Sequence, residues 1–83
     1  MKLLYFAWVR ERIGAGEEEV SPPAEVATVG ALIEWLAGRS EGHAGALADR
    51  TRIRAAVDGV FVQPDAPVAG AREVAIFPPV TGG

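Results

Sequence analysis

Glu73-Val74-Ala75-Ile76-Phe77-Pro78-Pro79-Val80-Thr81-Gly82-Gly83 closes the sequence, and its reading sets the architecture. Residues 73–77 are β-favouring and predict a strand. Pro78 ends it, because proline has no N–H for a ladder and two in a row prefer extended polyproline II. The chain therefore divides into a folded body, residues 1–77, and an extended, flexible Gly-Gly tail, residues 78–83. Six residues reach at most about 20 Å, enough to thread into a partner. At ordinary glycine usage of about 7% a Gly-Gly terminus arises by chance in roughly one chain in two hundred. The dipeptide gains its weight from the strand and diproline before it.

Composition removes most other sources of chemistry. The 83 residues carry no cysteine, one histidine and a formal charge of −3. No disulfide framework, thiolate nucleophile or protein-borne persulfide is available. The length suits one small domain, and nearly half the residues are apolar, so a core without staples is expected. The mild negative charge and scattered basic residues argue against nucleic acid as the main partner. The apolar run after Lys2 is too short for a signal peptide and nothing approaches a membrane span, so a cytoplasmic protein is expected. What remains is the α-carboxylate of Gly83, whose acyl carbon no Cβ shields.

Upstream, the pattern alternates without repeats. Lys2 to Val9 reads as a strand covered on both faces, and Gly14-Ala15-Gly16 as a turn. Glu17 to Val20 reads as an edge strand closed by Ser21-Pro22-Pro23. Thr28 is a good N-cap for a helix with Val29, Leu32, Ile33 and Leu36 on one face and Gly38 as its stop. His43 to Arg50 reads as a weaker second helix. Ile53–Val57, Asp58-Gly59 and Val60–Val62 spell a hairpin with a primed two-residue turn. One main helix packed on a mixed sheet is the economical α+β fold.

Strand parity then places partners. With Leu3, Tyr5 and Val9 toward the helix, Phe6 and Trp8 point the other way; Phe61 and Phe77 also alternate outward. Phe6, Phe61 and Phe77 are thus expected to form an apolar patch beside the tail, with Arg10 at its margin, of the kind that marks an interface. His43 lacks a second ligand at metal spacing and is expected to be a solvated loop histidine. Glu17-Glu18-Glu19 is expected to be a solvated edge, and Asp58-Gly59 plain turn chemistry. Trp35 is expected to border the helix's buried stripe.

Leu4-Tyr5-Phe6-Ala7-Trp8-Val9-Arg10-Glu11 with Gly14, Thr28-Val29 with Leu32, Ala56-Val57-Asp58 and the closing segment together resemble the family of small subunits of molybdopterin synthase. The resemblance spans almost the whole chain and implies the ubiquitin-like β-grasp fold. It also implies a sulfur carrier that does no catalysis alone. An activating enzyme adenylates the terminal glycine with ATP, a persulfide donor supplies sulfur, and Gly83 ends as a thiocarboxylate. No cofactor is bound permanently. The tail, Pro78, Pro79, Val80, Thr81 and Gly82, enters the large subunit of a heterotetramer, where sulfur passes to a pyranopterin precursor, and the family's positions matching the phenylalanines contact that subunit. Two departures stand out: Ala71-Arg72-Glu73 replaces Gly-Asp-Glu, reversing a charge near the tail, and Asp58 replaces asparagine. Related β-grasp carriers for thiazole, tRNA thiolation or cysteine synthesis, and ubiquitin-like modifiers, are the alternatives.

Overall fold

The computed structural model describes residues 1–79. In chain order the elements are β1 (Lys2–Tyr5), α1 (Ala7–Ile13), β2 (Glu17–Glu19), α2 (Val29–Ala37), α3 (Glu41–Leu47), a 3₁₀ turn (Arg50–Arg52), β3 (Arg54–Val57), β4 (Val60–Val62) and β5 (Glu73–Phe77). The five strands form one mixed sheet in the order β2-β1-β5-β3-β4. The first and last strands lie side by side and parallel, Leu3 opposite Val74 and Tyr5 opposite Ile76, while the other pairings are antiparallel. This is the ubiquitin-like β-grasp arrangement that the family resemblance implies.

Alternation along the central strands separates two faces. Leu3, Tyr5, Ala55, Val74 and Ile76 turn inward and join Val29, Leu32, Ile33 and Leu36 of α2 in one buried cluster. Thr28 caps α2 by accepting the Ala31 N–H at 3.2 Å, as its position before the apolar stripe predicts. The Asp58-Gly59 turn has φ of 48° and 83°, the left-handed pair that a primed hairpin needs. Asp58 does more than turn. Its Oδ1 accepts the Arg72 and Glu73 N–H groups at 3.0 and 2.9 Å, tying the hairpin to the start of β5. Arg72 therefore sits at the far end of β5 from Pro78, and the charge reversal expected near the tail is a strand's length away from it.

One element departs from expectation. The strand read over Lys2–Val9 stops at Tyr5, and Ala7–Ile13 is helix α1. A short apolar run fits either structure, and here Val9 and Ile13, four residues apart, face the core while Arg10, Glu11 and Arg12 meet solvent. The corner is made by Ala7 at φ 52°, a left-handed conformation that costs a non-glycine residue about 1–2 kcal/mol and that alanine does not signal. Gly14 closes the helix at φ 90°, its N–H bonded to the Arg10 carbonyl, the αL cap in which glycine is favoured. The described residues thus carry three α-helices, and α1 packs on α3 as well as on the sheet.

The α1–α3 contact depends on Gly42. A Cβ at that position would lie 2.7 Å from the Arg12 carbonyl oxygen, and a backbone atom cannot swing away. Gly42→Ala is expected to lower the unfolding free energy by about 1–3 kcal/mol in urea titration through overpacking, although the same change in an open helix would add about 1 kcal/mol.

Candidate functional site

The second face of the sheet is bare. Strand register puts Leu4, Ala75, Ala56, Phe77 and Phe61 on it, and among the described residues none of these belongs to the buried cluster or to the side chains packed against it. Phe61 is 74% exposed, and its ring meets that of Phe77 at a centroid distance of 5.4 Å. A shallow groove of about 330 Å³ runs along this corner, lined by Arg54, Phe61, Gln63 and Phe77. Phe6 is not a strand residue, yet its backbone is still extended and its N–H reaches the Ile76 carbonyl at 3.2 Å. Its ring is 47% exposed at the end of the sheet where β5 finishes. All three phenylalanines lie outside the core.

The other expected site residues scatter. Arg10 is on α1, exposed, with its guanidinium laid against Gly16. Trp8, placed by strand parity on the open face, is instead on α1, packed against the core with the Arg52 guanidinium 4.8 Å from its ring centroid. Pro78 and Pro79 follow β5 outside any regular element and are half-buried. Val80, Thr81, Gly82 and Gly83 lie outside the described residues.

A buried polar network corrects two expectations. His43 is 6% exposed, not solvated, and lies within α3. Its Nε2 is 2.8 Å from Glu18 Oε2, and its Nδ1 is 2.7 Å from the Oγ of Ser40, the α3 N-cap. Tyr5 donates its hydroxyl to the same Glu18 oxygen at 2.7 Å. Glu17 and Glu19 are solvated as expected, but Glu18 points inward. Strand alternation through the three glutamates was the available signal. Burial alone would raise the Glu18 pKa. Hydrogen bonds from His43 and Tyr5, with the charges of His43 and Arg39, outweigh it and hold the carboxyl below its ordinary value. Burial and the bond to Glu18 push the Tyr5 phenol well above its own. The network clamps edge strand β2 to α3. Among the described residues no three acidic or histidine side chains cluster to hold a metal ion.

The chain matches the model of the ThiS family over residues 3–83. It belongs to that family. Among curated relatives it is 45% identical over 83 residues to the molybdopterin synthase sulfur carrier subunit of Escherichia coli, covering 100% of this chain and 99% of that protein. The subunit of the same name from Haemophilus influenzae is 32% identical over the same span, covering 99% of that protein. Among solved structures, small archaeal modifier protein 1 of Haloferax volcanii superposes with a TM-score of 0.74 at 28% identity, covering 96% of this chain and 97% of that one. A putative molybdopterin converting factor, subunit 1, from Pyrococcus furiosus gives 0.71 at 31% identity, covering 95% of each chain. The two curated relatives match across all of this chain, closing segment included.

Glu18→Ala strands two buried donors and is expected to cost about 1–3 kcal/mol at neutral pH. Because the folded pKa of Glu18 is depressed, its contribution is complete above the ordinary carboxylate pKa of about 4.3 and is lost as pH falls through the lower folded value. Urea titrations at neutral and acid pH should show the wild-type advantage narrowing in acid; an unchanged gap contradicts this role.

Proposed function

We propose that this chain is the sulfur carrier subunit of a molybdopterin synthase and that its working group is the α-carboxylate of Gly83. The observation that carries the reading is the full-length 45% identity to the Escherichia coli sulfur carrier subunit, in a chain whose sequence holds no cysteine and ends in Gly-Gly. The chemistry follows from the carboxylate's inertness. A carboxylate resists nucleophiles until it is given a leaving group, so an activating enzyme joins it to the α-phosphorus of ATP and releases pyrophosphate. A persulfide sulfur then attacks the acyl carbon and AMP departs. Cleavage of the sulfur–sulfur bond by a second thiol leaves a thiocarboxylate on Gly83, a usable sulfur nucleophile near neutral pH. ATP serves only the activating enzyme, and the carrier itself needs no resident cofactor.

The partner is the synthase's large subunit. Held in its pocket, the thiocarboxylate gains proximity to the pyranopterin precursor, and two such transfers build the dithiolene that binds molybdenum. The folded body presents the tail. The Phe6, Phe61 and Phe77 face supplies the apolar contact, and Pro78 to Gly82 supply the reach. Among the described residues no helix is long and apolar enough to cross a membrane. Attachment to lysines as a protein modifier is the second reading, favoured by the likeness to small archaeal modifier protein 1; isopeptide-linked conjugates would identify it.

Incubation with the activating enzyme, ATP and a persulfide donor should exchange one oxygen of Gly83 for sulfur in the intact mass. Sulfur-loaded chain plus the large subunit and precursor should then form molybdopterin, and chain lacking Gly82-Gly83 should form none. Loading without product moves the reading to another sulfur-transfer pathway. Separately, Phe61→Asp and Phe77→Asp are each expected to keep the wild-type far-UV spectrum while weakening the complex by about 2 kcal/mol, roughly thirtyfold in Kd, by titration calorimetry.

A further inference from the structure

Among the described residues the ion pairs are those of the N-terminal amine with Glu19, Lys2 with Glu17 and His43 with Glu18, and no arginine takes part. Three of the unspent guanidinium groups, Arg50, Arg52 and Arg54, are exposed and lie on one short segment. That segment runs into β3, and register sets Arg54 directly beside Phe77. The Trp8–Arg52 stack joins the elements on either side of β5 at the end where the strand runs out. A domain with a formal charge of −3 is therefore positive where its tail departs.

These arginines are also held in place. Arg50 Nε donates to the Leu47 carbonyl at 3.1 Å, and Arg54 Nη1 donates to the Thr51 and Ile53 carbonyls at 3.1 and 2.7 Å. Arg52 is fixed by Trp8. Each head keeps N–H donors that these bonds do not use, since a guanidinium carries five. The adjacent acid, Asp49, accepts the Thr51 N–H and hydroxyl at Oδ1 and its charge faces Arg52, but one carboxylate against three guanidinium groups leaves the segment net positive. A second groove of about 410 Å³, lined by Arg50, Arg54, Ile33, Ile53, Val62 and Pro64 among others, shares Arg54 and Val62 with the phenylalanine corner. Held guanidinium forks above apolar lining suit carboxylates on a protein surface.

We propose that Arg50, Arg52 and Arg54 form a docking ridge for an acidic, carboxylate-bearing segment of the large subunit, continuous with the Phe61–Phe77 contact. The inference rests on the sulfur-carrier reading and adds to it the chemistry of the partner's surface. A protein partner is favoured over nucleic acid because the ridge is only three arginines long and the chain as a whole carries a formal charge of −3. Its role is to steer encounter and orient the tail, so it acts mainly on association rate.

The test measures association of the full chain with the purified large subunit from low to high NaCl. Arg52→Glu/Arg54→Glu should slow association at least about tenfold at low salt and flatten the salt dependence that the wild type shows. Arg52→Gln/Arg54→Gln, which removes charge without reversing it, should fall between, with folding of both checked by urea titration. Double variants that associate at the wild-type rate and with its salt slope overturn the ridge while leaving the carrier reading intact. A wild type that forms no complex at all overturns both. Loss of single-stranded oligonucleotide binding in the variants, with subunit association unchanged, would assign the arginines to nucleic acid and also overturn the proposal.

Discussion

The parallel pairing of β1 with β5 is the constraint from which the rest of the structure follows. It joins the two ends of the sequence at the centre of the sheet, Lys2 beside Glu73 and Tyr5 beside Ile76. Because the strands run the same way, the chain leaves both at the same end. There β1 turns through Ala7 into α1, and β5 runs into Pro78 and Pro79. Phe6 and Phe77 both stand at that shared exit. β3 pairs with β5 on its other side and, running antiparallel, starts at the same end, so Arg54 and the preceding 3₁₀ turn arrive beside Phe77.

Packing divides the labour between faces. One face of the sheet carries the core, built on α2 with α1 and α3 closing its flanks. The other keeps the Phe6 and Phe61 rings in water, the surface on which the proposed contact with a large subunit rests. The two sheet edges differ in the same sense. β2 presents Glu17 and Glu19, charges that discourage a further strand, whereas β4 is Val60-Phe61-Val62 with no charge at all. The polar clamp of Glu18, Tyr5 and His43 holds the guarded edge to α3, far in function from the exposed rings.

Much of this was readable from residue order. The α2 stripe, its Thr28 cap, the Asp58-Gly59 hairpin and the termination of β5 at Pro78 are each decided within a few residues, by side-chain periodicity or by a backbone that can adopt only certain angles. The outward alternation of Phe61 and Phe77 came from the same rule. Helix α1 was missed because Leu3 to Val9 is apolar throughout, and its start hangs on a left-handed alanine that has no compositional mark. His43 was misplaced because its burial depends on Glu18 and Tyr5, 25 and 38 residues away in sequence.

By itself, then, the sequence determined α2 with its Thr28 cap, the Asp58-Gly59 hairpin and the stop of β5 at Pro78, since these depend on the covalent chain and its near neighbours. Only the tertiary structure decided which groups share the exit of the closing tail. Register between β1, β5 and β3 is a long-range choice, made by burying Leu3, Tyr5, Val74 and Ile76 together. That burial leaves Phe61, Phe77 and the arginines of the β3 approach standing side by side in solvent.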